Sequence, residues 1–148
     1  MLPRVKINYL NGQLGTVGKS PDGLFALLCV AAAVSTTFVL NTAYSVRSVS
    51  DLEALGVTAE NNAQLHRHVS DFYNEAENGT ELVVMGMAAG TKLVDALNKE
   101  TGIARELLLS QNGALRGLFV SGDKESAGSD GLGADTIAAL PVAQALAE

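Results

Sequence analysis

The chain has 148 residues, of which 47% are hydrophobic and 18% charged, with a net charge of −6. That length suits one domain with a true core, and that composition excludes a disordered chain. The acidic balance, with basic residues scattered singly, excludes a nucleic-acid surface, which needs a basic face to displace counterions from phosphates.

RVKINYL (4–10) alternates, with Val5, Ile7 and Tyr9 on one side and Arg4, Lys6 and Asn8 on the other. This is the period of a half-exposed strand, and Asn11-Gly12 marks a turn after it. A link with glycines at Gly12, Gly15 and Gly18 follows, closed by Pro21-Asp22-Gly23. The continuous apolar run LFALLCVAAAV (24–34) is too short to cross a bilayer as a helix and reads as a buried strand. FVLN (38–41) reads as a further strand. AYSVRS continues extended, with Tyr44 and Val46 facing inward.

Helix signals come next. Ser50 and Glu53 fit a capping box for a short helix DLEAL, stopped by Gly56. Asn61-Asn62 offers a second cap. Beyond it Leu65, Val69, Phe72, Tyr73 and Ala76 form one apolar stripe on a helix of about four turns. ELVVMGM (81–87) is apolar on both faces, as a buried parallel strand requires. Thr91 is placed to cap a short helix KLVDALN, and a second helical stretch covers 102–111 with Ile103, Leu107 and Leu108 inward. LRGLFVSG (115–122) reads as a strand. GDKESAGSDGLG is a polar surface loop. In ADTIAALPVAQALAE, Pro141 is expected to end a turn and open a new helix.

The alternation of strands and helices predicts an α/β fold. It is a three-layer, mixed but mainly parallel sheet flanked by helices, with an outlying N-terminal strand. Residues 1–23 form the strand and its glycine-rich link, and 24–148 the body. That body ends on a helix with no closing strand, which points to truncation at the C-terminus.

Several stretches suggest chemistry. GQLGTVGKSPDG (12–23) ends in the GKS of a phosphate-binding loop, but that loop needs a glycine at position 13, where Gln13 stands. Pro21 also drives Ser20 out of the helical region that would aim amides at a phosphate. His66 and His68 are two apart on a helix, about 200° around its axis, and cannot share a metal ion. Asp71 and Glu75 fall on a solvated helix face. Asp123, Asp130 and Asp135 do not have the spacing of a calcium loop, and no nucleophile elbow is present. Cys29, the sole cysteine, reads as a small buried hydrophobe. The expectation is therefore no catalytic, cofactor or metal site.

FVLNTAYSVRSVSDLEALGV, LHRHVSDFYNEAENG and ELVVMGM together resemble the core of contractile phage tail sheath proteins. The resemblance is carried by Ser48, Asp51, Leu52, Leu55 and Gly56, then by Leu65, Val69, Phe72 and Tyr73. GALRGLFVSG and PVAQALAE resemble the strand and helix that come next in that family. The opening NYLNGQLGTVGKSPDGL is similar to sheath-like phage and prophage proteins of unassigned function. The family's proline-glycine-valine-tyrosine opening is present here only as PRVKINY, and its C-terminal half and extended terminal arm are absent.

The resemblance implies a structural subunit, made in the bacterial cytoplasm and located in a virion tail. Its partners would be copies of itself in a helical assembly, with tail tube and baseplate proteins beyond, and neither nucleic acid nor membrane. Val5, Ile7 and Tyr9 would form an intersubunit strand, hinged at Gly12, Gly15 and Gly18. The alternative is a small flavodoxin-like domain binding a nucleotide or small ligand near Gly86, Gly90 or the 122–133 loop.

Overall fold

The computed structural model describes residues 23–76, 79–124 and 132–148. Segment 4–10 and the glycine link, with Val5, Ile7, Tyr9, Gly12, Gly15 and Gly18, lie outside the described residues.

Four strands form one sheet: β1 (Phe25–Val30), β2 (Ala43–Val46), β3 (Leu82–Met87) and β4 (Gly117–Ser121), in the order β2-β3-β1-β4. β1 pairs in parallel with β3, Leu27 opposite Val84, and with β4, Leu27 opposite Phe119. β2 runs antiparallel on the outer side of β3. The two central strands are the two most apolar runs in the sequence, because a strand covered on both faces has no solvated side.

Side chains alternate between two cores. Leu27, Cys29, Val46, Leu82 and Val84 face α1 (Val49–Ala54) and α2 (Ala63–Glu75), whose Leu52, Leu65 and Val69 are fully buried. Ala26, Leu28, Val83, Met85 and Met87 face the other layer. That layer is α3 (Leu93–Ala96), α4 (Ile103–Ser110) and α5 (Ala134–Ala147), which contribute Ala96, Ala104, Leu107 and Ala139. The expected three-layer α/β arrangement, with a mainly parallel sheet, is the one observed.

Local corrections each have a physical cause. FVLN is not a strand. Val34 and Phe38 close a tight loop on each other, Ser35 and Asn41 take positive φ, and Phe38 alone turns into the core. The run 24–34 leaves the sheet after Val30. The α1 cap is Ser48 rather than Ser50. Its hydroxyl accepts from Asp51 N at 3.1 Å, while the Asp51 carboxylate accepts from Arg47 N at 2.8 Å. Thr91 does not cap α3, which is only four residues long; its hydroxyl donates to Ala88 O, and Asp135 of α5 accepts from Leu93 N at 2.7 Å. Pro141 lies inside one continuous α5. The proline is exposed, so the carbonyl it strands can turn to water, while Ala139, Val142, Ala143 and Leu146 seat both halves of the helix on the core.

Asn62 stands at the α2 N-cap but makes no cap bond. Its amide turns away to Ala32: Oδ1 accepts from Ala32 N at 2.6 Å and Nδ2 donates to Ala32 O at 3.1 Å. The side chain is thus a one-residue strand partner for the chain leaving β1, held at 6% exposure. Asn62→Ala is expected to cost about 1–3 kcal/mol in urea unfolding, the penalty for stranding paired polar groups. Asn62→Asp should cost more at neutral pH, because a carboxylate oxygen then faces Ala32 O. Folding would raise that carboxyl pKa, so the variant should regain stability as pH falls, when the protonated acid again has a hydrogen to donate. Equal stability of the Asp and Ala variants at neutral pH would contradict this pairing.

Candidate functional site

The two edges of the sheet differ. At one edge, β2 is four residues long and bordered by an ion pair, Arg47 Nη2 to Glu81 Oε2 at 3.2 Å, with Ser45 Oγ donating to Glu81 at 2.6 Å. Short length and flanking charge are the usual protections of an edge strand. At the other edge, β4 reads Gly-Leu-Phe-Val-Ser, without charge or proline. Among the described residues only β1 pairs with it. Phe119, at its centre, is 56% exposed.

Both faces of β4 carry apolar hollows. On the α2 side a cavity of about 360 Å³ is lined by Leu27, Phe72, Leu82, Phe119 and Val120, with His68 and Ser121 at one end. Phe25 closes its floor: the Phe25 and Phe119 ring centroids are 6.0 Å apart, and a Cβ on Gly117 would meet the Phe25 ring at 2.7 Å. On the α4–α5 side a groove of about 520 Å³ is lined by Leu97, Leu108, Leu115, Leu118, Val120 and Leu146, among others. An incoming strand on β4 would send alternate side chains over these two hollows.

At the carboxyl end of β4, Ser121 Oγ accepts from Gln64 Nε2 at 2.8 Å and lies 2.9 Å from His68 Nε2. Gln64 Nε2 also donates to Gly122 O at 2.9 Å. Gln64 and His68, one turn apart on α2, therefore clamp that helix to the end of β4. A nucleophilic serine needs a base oriented by a third group. Here the Gln64 amide already donates to the hydroxyl oxygen, and among the described residues no carboxylate bonds His68. The clamp is built for position.

Cys29 sits beneath it, fully buried. Burial pushes its thiol up to about 11, partly opposed by a hydrogen bond from Ser121. The thiolate is the reactive form, so Cys29 should resist a disulfide reagent at mildly alkaline pH and react only as fast as the chain opens. Rapid labelling of the folded protein would contradict this burial.

The other residues singled out from the sequence disperse. His66 turns to Glu53 Oε1 at 3.0 Å, away from His68. Asp71 and Glu75 are exposed on α2. Asp123 accepts from Gly90 N, Asp135 caps α3, and Asp130 lies outside the described residues. Among the described residues no cluster of three His, Cys, Asp or Glu side chains could hold a metal, and no helix is long and apolar enough to cross a membrane. At Gly86, one of the positions considered for a ligand, the Phe38 ring and Ala31 Cβ occupy the space a side chain would take.

Phe119, Gln64 and Ser121 did not stand out in the sequence. The i, i+4 spacing of Gln64 and His68 and the uncharged GLFVSG strand were the available signals.

No curated protein and no solved structure matches the chain. The chain belongs to the DUF2586 family, whose N-terminal domain model matches residues 2–141.

Proposed function

We propose that this protein is a sheath-like structural subunit of a contractile phage or prophage tail, located in the virion tail and joined to its neighbours by strand addition and heterologous contacts. The observation that carries the reading is the unequal pair of sheet edges, β2 short and charged, β4 open and apolar. A subunit with one protected and one receptive edge accepts a strand in one direction, and head-to-tail contacts that do not close on themselves grow into tubes. The donor would be RVKINYL, with Val5, Ile7 and Tyr9 over one hollow beside β4, and Gly12, Gly15 and Gly18 as its hinge. The family match begins at residue 2 and so takes in this segment together with the body. The reading also draws on the resemblance of the segments around Ser48–Gly56 and Leu65–Tyr73 to sheath cores. It assigns no catalytic step and no cofactor. Its partners are copies of itself, then tail tube and baseplate proteins.

Electron microscopy of the purified protein across assembly conditions is the test. Tubes or stacked rings that are lost on deleting residues 1–10 are expected. Monomers under every condition, with segment 4–10 paired into their own sheet, would overturn the reading.

A further inference from the structure

The β4 strand is apolar toward both faces of the sheet. Phe119 points to the α2 side, and Leu118 and Val120 to the α4–α5 side. The hollows flanking it are apolar on both sides as well. An occupant that matches this edge must therefore be apolar on both of its own faces. Segment 4–10 is not, since Arg4, Lys6 and Asn8 fill one of its sides. β4 itself is. Its five residues carry no charge, and the first charged residues beyond it are Arg116 at one end and Asp123 at the other.

We infer that two free copies of this chain pair through their β4 strands, antiparallel, about a two-fold axis at Phe119. The centre of a five-residue strand is its third residue, so this register pairs the most backbone. With the axis normal to the sheet, the α2 sides of both copies lie on the same face. Phe119 meets Phe119 of the second copy over the two α2-side hollows, and Leu118 lies opposite Val120 on the other face. Aromatic and β-branched cross-strand pairs of this kind stabilise antiparallel ladders. At both ends Arg116 of one copy falls beside Asp123 of the other, so the register is complementary in charge as well as in shape. The two four-stranded sheets become one of eight strands with protected β2 strands at its outer edges.

A two-fold contact closes at two copies and cannot propagate. It covers an edge that is otherwise an aggregation hazard. This consequence rests on the reading of β4 as the assembly edge: the pair is a resting form, and strand addition has to displace it.

Sedimentation of the full chain over a range of concentrations tests the pairing, because a weak dimer dissociates on dilution. The expected mass at high concentration is twice the 15.3 kDa of one chain. Phe119→Arg should return it to one chain with an unchanged circular dichroism spectrum, since an exposed side chain is being replaced. Phe119→Cys gives an independent readout. Residues directly opposite in an antiparallel pair have Cα atoms about 4.5–5.5 Å apart, within disulfide reach. Mild oxidation should therefore link Phe119→Cys chains in pairs, while Leu118→Cys, which faces Val120, should not link to itself. A chain that stays monomeric, or a dimer indifferent to Phe119→Arg and not linked at position 119, would overturn the inference. Monomers that still build tubes would sink the dimer alone, whereas Phe119-linked dimers that never build tubes would sink the sheath reading alone.

Discussion

Gly102→Ala is expected to destabilise the protein by about 3 kcal/mol, among the larger single-site effects. Gly102 is the α4 N-cap, with φ −76° and ψ 149°, a conformation that alanine adopts freely. Space is what forbids the methyl group. A Cβ there would lie 2.5 Å from Asn98 O, 2.6 Å from Ala96 O and 2.6 Å from Asn98 N. All three are backbone atoms, held in the turn in which Gly102 N donates to Asn98 O at 2.8 Å and Asn98 Oδ1 accepts from Glu100 N and Thr101 N. No rotamer change relieves such a clash, so the α3–α4 connection must open. For a chain of this length the midpoint of thermal unfolding should fall by roughly 6–12 °C. A fall of less than about 2 °C would mean that this turn yields without cost to the core.

The second large effect joins two residues far apart in sequence. Phe38 is fully buried, and its ring rests on the bare Cα of Gly86 in β3. A methyl group on Gly86 would approach Phe38 Cε1 to 2.9 Å, Phe38 Cζ to 3.0 Å and Ala31 Cβ to 3.1 Å. Gly86→Ala is therefore an overpacking change, expected to cost about 1–3 kcal/mol. Phe38→Ala opens a cavity instead, at about 3–5 kcal/mol. In the double variant the new methyl group occupies part of the space the ring vacated. The two losses should then fall short of additivity by more than about 0.5 kcal/mol in a denaturant-unfolding cycle. Strict additivity would show that ring and glycine do not share that space. The same contact accounts for the loop before β2. Phe38 has to leave the strand direction to reach Gly86, and Asn41 N then donates to Gly86 O at 2.8 Å, bringing the chain into register for β2.

That displaced segment marks where local pattern loses authority. FVLN has strand propensity, but the core needed one ring from it rather than a ladder, and Val39 is left exposed. Pro141 is the same lesson in a helix: its local signal is a break, yet the apolar residues on both sides of it pack on one core and hold α5 continuous. Asn62 carries a cap signal, but a backbone partner at Ala32 competes for its amide.

Periodicity and composition were enough for the three-layer α/β class, the two central strands, the α2 stripe with Leu65 and Val69 buried, the inward turn of Val46, and the failure of GKS as a phosphate loop. These are properties of a few adjacent residues, where solvation and backbone sterics act over one or two turns. The strand order, the pairing of Phe38 with Gly86, the clamp of Gln64 and His68 on Ser121, and the contrast between a charged β2 edge and an open β4 edge belong to the tertiary structure. Each joins residues that the chain separates by tens of positions. Which strand is left at an edge is settled by how whole layers pack, and no local run of residues encodes it.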